Sequence, residues 1–242
     1  MPRRRFFVPP DRIREGSVLL TSEEAHHLRH VLRLQPGCEV ELFDGAGSGY
    51  AGTLEIRGSD ILVVGLRELA PLRESAPRLT LAFALIKSDK VELVLQKATE
   101  LGADEFVPLM TRFSNPRIPA GRLAARLQRW ERIVRESSKQ CRRFTIPALH
   151  PPVEFEKFLN QTGRECAKFM LHEKAQSEWP LSVPSAGRVI LGIGPEGGWD
   201  SSEAGQAARF GWSVFRMGDR VLRAETAAIA AVALFRFGSA AH

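Results

Sequence analysis

Cysteine is scarce in this chain of 242 residues, represented only by Cys38, Cys141 and Cys166. Their odd number and lack of metal-type spacing give neither a disulfide framework nor a zinc site. His26 and His30 stand four apart, but no third ligand completes a pattern, and no metal is expected. No apolar run approaches bilayer-spanning length and no signal-peptide pattern opens the sequence, so a cytoplasmic protein without membrane contact is expected. Phosphate-binding signatures are missing too. No Gly-Lys-Ser/Thr follows a glycine-rich turn, and no Gly-x-Gly-x-x-Gly is paired with an acidic residue downstream. Acidic residues are outnumbered, 28 Asp and Glu against 34 Lys and Arg, for a net charge of +6. That balance points toward an acidic partner.

Hydrophobic content of 44% and charged content of 26% are those of a globular protein large enough for one big domain or two modest ones. Residues 1–72 read as a small β-rich domain. Phe6–Val8 and Ser17–Leu20 are short strands, and Thr21 with Glu24 forms a capping-box pattern for a helix through Leu32. Val40–Phe43, Ala51–Ile56 and Ile61–Leu66 follow as strands between glycine-rich turns, a spacing that suggests a small barrel. Pro71–Pro77 reads as a linker. Residues 73–242 then alternate strands and helices. Leu79–Ile86 is continuously apolar, as a strand covered on both faces would be. A helix from Asp89 carries Val91, Val94, Leu95, Ala98 and Leu101 on one face and stops at Gly102. Phe106–Met110 is a strand, Val153–Leu159 a short helix, and Ala167–Leu171 a strand ending in His172-Glu173. Two more strands begin at Val189 and Ser213, and an alanine-rich helix closes the chain. Five or six strands with interposed helices imply a mostly parallel α/β sheet.

Positive charge is concentrated. From Arg112 to Arg143 ten Lys or Arg face two Glu. On a helix from Gly121 to Arg142, Leu123, Leu127, Trp130, Val134 and Cys141 share one stripe. Arg122, Arg126, Arg129, Arg132, Arg135, Lys139 and Arg142 occupy the remaining arc. A solvated face normally mixes signs, and like charges this dense repel unless phosphates neutralise them. Arg3, Arg4, Arg5, Arg12, Arg29 and Arg33 give the first domain a basic character as well.

The two apolar runs near the end of the chain each break into an irregular loop. Val189-Ile190-Leu191-Gly192-Ile193 opens into Gly194-Pro195-Glu196-Gly197-Gly198-Trp199-Asp200. Ser213-Val214-Phe215-Arg216-Met217 opens into Gly218-Asp219-Arg220-Val221-Leu222-Arg223-Ala224-Glu225-Thr226. In open α/β sheets, ligands sit beyond the carboxyl ends of strands, so two such loops suggest one shared site. Gly192, Gly194, Gly197 and Gly198 permit positive φ and close approach of a ligand to the backbone. Asp200 with Glu203 reads as a capping box opening the next helix.

Ile193-Gly194-Pro195-Glu196-Gly197-Gly198 followed by Leu222-Arg223-Ala224-Glu225-Thr226-Ala227 resembles the paired signature of the bacterial 16S ribosomal RNA uridine-N3 methyltransferase family. That family belongs to the trefoil-knotted methyltransferase superfamily often called SPOUT. Arg3–Val8, Val31-Leu32-Arg33 before Pro36-Gly37, Leu42-Phe43-Asp44-Gly45, Gln96-Lys97-Ala98-Thr99-Glu100-Leu101-Gly102 and Gln140-Cys141 agree, so the resemblance spans nearly the whole chain. Two places depart from the family pattern. Lys139 and Arg142 flank Gln140-Cys141 where an acidic residue and a glycine are expected. Trp199, a bulky residue, follows the glycine loop, where it either narrows the pocket or packs beneath it.

The resemblance implies an α/β fold with a C-terminal trefoil-knotted sheet and an N-terminal PUA-like RNA-binding β-barrel, divided as residues 1–72 and 73–242. It implies an S-adenosylmethionine pocket drawn from three loops: Leu171, His172 and Glu173; Gly192, Gly194, Pro195, Glu196, Gly197 and Gly198; and Met217, Gly218, Val221, Leu222 and Arg223. Uracil N3 carries a proton and is a poor nucleophile until that proton leaves or the anion is stabilised. Arg223 is the candidate for steadying the O2/O4 charge or clamping a phosphate. Glu196 or Glu225 is the candidate proton acceptor, against simpler roles in fixing the glycine loop and starting a helix. RNA contact is expected from Arg3, Arg4, Arg5, Arg29, Arg33, Arg129, Arg132, Arg135, Lys139, Arg142 and Arg143. The partners implied are 16S ribosomal RNA or the assembled small subunit, and a second copy docked on the alanine-rich helix. The alternatives are a knotted methyltransferase acting on another RNA atom, such as a tRNA ribose hydroxyl, or a non-catalytic RNA-binding accessory protein of the ribosome.

Overall fold

The computed structural model describes residues 4–14, 16–70, 77–114, 118–163, 165–179 and 187–238. The chain forms two compact units, Met1–Arg73 with Ser138–Ile146, and Glu74–Ser137 with Pro147–His242. The expected division after residue 72 and most of the expected linker fall outside the described residues, as does Arg3. The expected partition also left residues 138–146 in the second body, whereas they pack with the first.

The first unit is a six-stranded sheet in the order β1-β4-β5-β6-β3-β2. Its strands are β1 (Arg5–Phe7), β2 (Ile13–Arg14), β3 (Ser17–Leu19), β4 (Glu39–Phe43), β5 (Gly49–Arg57) and β6 (Asp60–Leu69). All pairs are antiparallel except β1 with β4. Phe6, Val18, Leu42, Leu54, Ile61 and Val63 point inward and close a core with Leu28 and Leu34. Helix α1 (Ser22–His26) continues as a π-helical turn, His27–Leu32. Only half of the expected capping box forms at its start. Thr21 Oγ1 accepts from Glu24 N, but the Glu24 carboxylate accepts instead from Phe7 N and from Lys139 Nζ, the latter at 2.9 Å.

The segment 138–146 is strapped to this sheet by several contacts. Lys139 is paired with Glu24. Ile146 N donates to Gly45 O at 2.9 Å. The Phe144 ring lies so close to Gly49 that any Cβ there would collide with it. The Arg5 guanidinium lies 4.6 and 4.7 Å from the ring centres of Phe43 and Phe144 and donates to Arg143 O at 2.7 Å. Burial lowers the Arg5 pKa to about 10, which leaves it charged at neutral pH. Arg5 and Lys139 were expected on an RNA surface. Both are instead spent inside the unit, because a cation enclosed by aromatic faces or a carboxylate is held there by the cost of leaving that partner unmatched.

The second unit is a seven-stranded, all-parallel sheet with the order β10-β8-β7-β12-β11-β13, β9 also pairing with β8. Its strands are β7 (Arg78–Ala84), β8 (Glu105–Met110), β9 (Ala148–Leu149), β10 (Val153–Glu154), β11 (Cys166–Leu171), β12 (Arg188–Ile193) and β13 (Ser213–Phe215). The helices are α2 (Ser88–Leu101), α3 (Ala120–Gln140), α4 (Phe155–Gln161), α5 (Ser201–Arg209) and α6 (Ala224–Phe237). Val153 and Glu154, expected to begin a helix, pair with Leu109 and Met110 before α4 starts. One face of the sheet packs Val107, Met170 and Ile190 against Phe155, Phe158, Trp199 and Trp212. Gly192 is needed there, since a Cβ would lie 2.8 Å from the Trp212 ring. Helices α2 and α6 pack on each other, and α6 also on β7 and β12. Ala228, Ala231, Val232 and Phe235 of α6 are buried in their own unit. Ala228 and Ala231, among the small residues of the alanine-rich helix expected to receive a second copy, therefore serve helix packing within the unit.

Arg236 locks this arrangement. Its guanidinium donates to Gly102 O, Pro77 O and Asp104 Oδ2, at 2.9, 2.8 and 2.5 Å. Gly102, with φ at 103°, ends α2 as expected.

Glu105, at the amino end of β8, accepts from Thr80 Oγ1 at 2.7 Å and Arg188 Nη2 at 2.5 Å, with His150 Nε2 2.7 Å away. Burial alone would raise its pKa, but the Thr80 hydroxyl, Arg188 and His150 together outweigh burial and hold it below the usual 4.5. A carboxylate whose folded-state pKa is depressed stabilises the fold above its unfolded value and loses that contribution as pH falls through the folded one. Glu105→Gln is expected to cost about 2 kcal/mol near neutral pH. It also removes part of the stability loss that the native chain shows on acidification below 4.5. Urea unfolding across that range measures both, and identical pH slopes for the two proteins would refute this account.

Candidate functional site

Parallel register brings three strand ends to one level. Leu171, the last residue of β11, is paired with Ile193 at the end of β12 and with Phe215 at the end of β13. The three loops that leave these strands therefore meet beyond the same edge of the sheet, where they enclose a pocket with the start of α6. This is the placement expected of a ligand crevice in an open parallel sheet.

Each loop is built rigidly. In the first, His172 N donates to Phe215 O at 2.9 Å, and His172 Nδ1 accepts from Lys174 N. In the second, Gly198 N donates to Pro195 O at 2.9 Å, closing a tight turn. Of the four glycines able to take positive φ, only Gly198 does so, at 73°. Trp199 settles its own question by packing beneath the pocket. It is 6% exposed, its ring lies 4.8 Å from that of Phe155, and Nε1 donates to Leu171 O at 2.9 Å. A buried hydrogen bond of this kind contributes about 1 kcal/mol and costs more to leave unmade. It fastens the second loop to the strand that carries the first. The capping box of α5 is complete, with Asp200 accepting from Ser202 N and Asp200 N donating to Glu203 Oε2. The Ser202 hydroxyl, with its backbone N–H, holds the Asp200 carboxyl below its ordinary range. In the third loop, Arg216 pairs with Glu178 and Asp219, both at 2.9 Å.

The pocket gathers most of the expected residues. Leu171, His172 and Glu173 line it from the first loop, and Gly194, Pro195, Glu196 and Gly198 from the second. Met217, Gly218, Val221 and Leu222 line it from the third. Gly192, Gly197, Arg223 and Glu225 do not. Gly192 is turned to Trp212, and Glu225 is buried with Lys90 Nζ 3.3 Å from its carboxylate. Arg223 is exposed at the amino end of α6, between lining residues Leu222 and Ala224. Ile193, Asp219 and Arg220 line it as members of the two loops, and Trp199 as the bulky residue that follows the glycine loop. Sequence reading did not single out Arg216, Ala224 and Ala227; Ala227 was legible as the outer residue of its motif, whereas nothing local marked Arg216. The lining thus combines apolar side chains, backbone of a tight turn and the carboxylates Glu173, Glu196 and Asp219. Among the described residues no group of three His, Cys, Asp or Glu is placed to hold a metal ion.

The basic arc of α3 is only partly available. Arg129 is paired with Glu92 at 2.7 Å, and this partner raises its pKa. Arg126 donates to Ser88 Oγ. Arg122 and Arg132 are exposed, and Arg135 is half-buried. In the first unit Arg4, Arg33 and Arg142 are exposed, Arg143 is half-buried, and Arg29 donates to Gly58 O and Ser59 O.

Comparison with known proteins agrees with this architecture. Residues 73–236 match the family model described as RNA methyltransferase domain, and residues 20–65 the one described as RNA methyltransferase PUA domain. Ribosomal RNA small subunit methyltransferase E from Synechocystis sp. is 32% identical over 236 residues, which cover 95% of this chain and 76% of that one. The protein of the same name from Rickettsia conorii is 29% identical over 222 residues, 90% and 88% of the two chains. Among solved structures, a ribosomal RNA small subunit methyltransferase E from Neisseria gonorrhoeae bound to S-adenosyl methionine superposes with a TM-score of 0.88 at 29% identity, covering 96% of each chain. A putative methyltransferase from Legionella pneumophila in complex with the same cofactor gives 0.84 at 30% identity over 97% of each. The second unit is thus an RNA methyltransferase domain and the first carries a PUA domain. The chain belongs to the ribosomal RNA small subunit methyltransferase E family.

Proposed function

We propose that this chain is an S-adenosylmethionine-dependent methyltransferase that modifies N3 of a uridine in 16S ribosomal RNA. The observation that carries the reading is the pocket at the aligned ends of β11, β12 and β13. Its apolar floor, its close-approach turn at Gly198 and the carboxylates Glu173 and Glu196, with Asp219 already paired to Arg216, suit a cationic nucleoside without phosphates. The solved relatives from Neisseria gonorrhoeae and Legionella pneumophila carry that cofactor. Modification of ribosomal RNA agrees with a cytoplasmic enzyme.

The donor, when bound, supplies an electrophilic methyl group, so no Lewis acid is required. The chain's own residues have the remaining work. The loops hold the donor in line with the base, since alignment is the main gain in such a displacement. Arg223, exposed beside the pocket, steadies negative charge on O2 or O4, or clamps a phosphate. Glu196, which lines the pocket and is exposed, receives the N3 proton directly or through water. Glu225 is set aside as base, because it is buried against Lys90.

The same reading includes a trefoil knot. It is supported by the crossing of the chain from β12 over β11 to β13 and the return of α6 onto α2. It also includes closure of the first sheet as a PUA-like barrel, and a homodimer. With Ala231 internal, the dimer surface shifts to the exposed arc, where Leu234 is 41% and Phe237 61% exposed. RNA contact rests on Arg4, Arg33, Arg122, Arg132 and Arg142, all exposed.

Calorimetry of the purified protein is expected to show S-adenosylmethionine binding that a chelator leaves unchanged. Mass mapping of 16S RNA should place one methyl on a uracil base. A ribose methyl would favour the ribose-hydroxyl alternative, and no donor binding would leave only the accessory protein. Reversing Arg122 and Arg132 to Glu should weaken RNA binding across sequences and reduce the salt slope by about one unit per lost contact. An unchanged slope would mean that this arc is merely solvated. Leu234→Arg should lower dimer content in light scattering, whereas a native protein already monomeric at micromolar concentration would remove the dimer from this reading.

A further inference from the structure

Gly197 is the one residue of the second loop whose glycine the pocket does not explain. It does not line the pocket and does not use positive φ. What its missing side chain makes room for is Phe113. A Cβ on Gly197 would lie 3.2 Å from Phe113 Cβ. Phe113 follows β8 in the turn Thr111–Ser114, beside the residues that form the pocket.

This turn is fixed by polar contacts. Ser114 N donates to Thr111 O at 3.2 Å and Thr111 N to Ser114 Oγ at 3.0 Å, with the two hydroxyls 2.8 Å apart. Arg112 N donates to Glu203 Oε1 at 2.9 Å, tying the turn to the capping box of α5. The Arg112 guanidinium lies 3.6 Å from Asp200. Despite this bracing, the Phe113 side chain is left 46% exposed. Lone exposed apolar residues need no explanation, but this one is presented on a rigid mount against the loop that walls the pocket. Val221, 76% exposed, stands on the pocket's third loop, and exposed Arg112, Arg220 and Arg223 belong to the same turn and loops. An exposed flat apolar ring set against the loop that walls a concave site, with exposed arginines on that turn and on the third loop, suits an unstacked base with its flanking phosphates.

We infer that Phe113 is the stacking platform for the target base, holding the face of the uracil at the mouth of the pocket. The inference rests on the proposed RNA methyltransferase activity. Phe113 touches no reacting atom in this scheme and positions the base. Stacking is insensitive to charge, so its loss leaves the salt slope intact, unlike loss of a phosphate contact.

The test compares the full-length native protein with Phe113→Ala, Phe113→Leu and Phe113→Trp, by RNA affinity, by kcat/KM for methyl transfer to 16S RNA and by donor calorimetry. Phe113→Ala is expected to lower RNA affinity and kcat/KM by roughly ten- to a hundredfold. Donor affinity, unfolding temperature and salt slope should stay native. Phe113→Leu keeps apolar bulk without a flat face and should remain impaired, whereas Phe113→Trp should restore both readouts. Native RNA affinity in Phe113→Ala, or full function in Phe113→Leu, would overturn the inference. If the native protein transfers no methyl group, the function proposed above fails, and the affinity series still decides whether Phe113 stacks on a base.

Discussion

The register of β11 between β12 and β13 is the constraint on which the rest depends. Parallel strands that end at one level release their loops at one edge, so a site can be assembled from segments remote in sequence. The alignment alone would leave three independent loops. Trp199 joins two of them, because its indole N–H reaches the carbonyl of Leu171 while its ring is buried beside Phe155. The bulky residue after the glycine loop therefore lies beneath the pocket as part of its lining.

Positive charge in this chain divides into two populations. Arg5, Lys139, Arg188 and Arg236 are held by carboxylates, carbonyls or aromatic rings within one unit or the other. They stabilise the fold only in the sense that removing one partner would leave the other buried and unmatched. Arg33, Arg122, Arg132 and Arg142 stay exposed. Net charge thus overstates the surface available for an acidic partner, and a single basic stretch contains both kinds. Lys139 is paired with buried Glu24 while Arg142, three residues on, is exposed.

The ends of the second unit's elements are tied in a similar way. Arg236, close to the end of the last helix, reaches the carbonyls of Gly102 and Pro77 and the carboxylate of Asp104. It joins the close of α2 and the approach to β7 to α6, whose first residues wall the pocket. A contact far from the site thereby fixes the helix on which one side of the site is mounted.

The sequence by itself determined the alternation of strands and helices after residue 77, the stop of α2 at Gly102, the capping box at Asp200 and the two glycine-bearing loops. These are local matters, set by apolar runs, by residues that tolerate left-handed backbone and by side chains that reach their own neighbours. It also carried most of the pocket lining, because parallel sheets place ligands at strand ends and the loops follow apolar runs directly. Only the tertiary structure decided which charges are spent. Glu24 has the spacing of a capping-box residue but is claimed by Phe7 N and Lys139, 115 positions away. Ala231 has the composition of a close-packed interface, and the helix that meets that face belongs to the same chain. Gly197 and Gly198 look alike in sequence, yet one makes room for Phe113 and the other turns the backbone. Each depends on a partner distant along the chain, and local pattern carries no information about which distant group arrives.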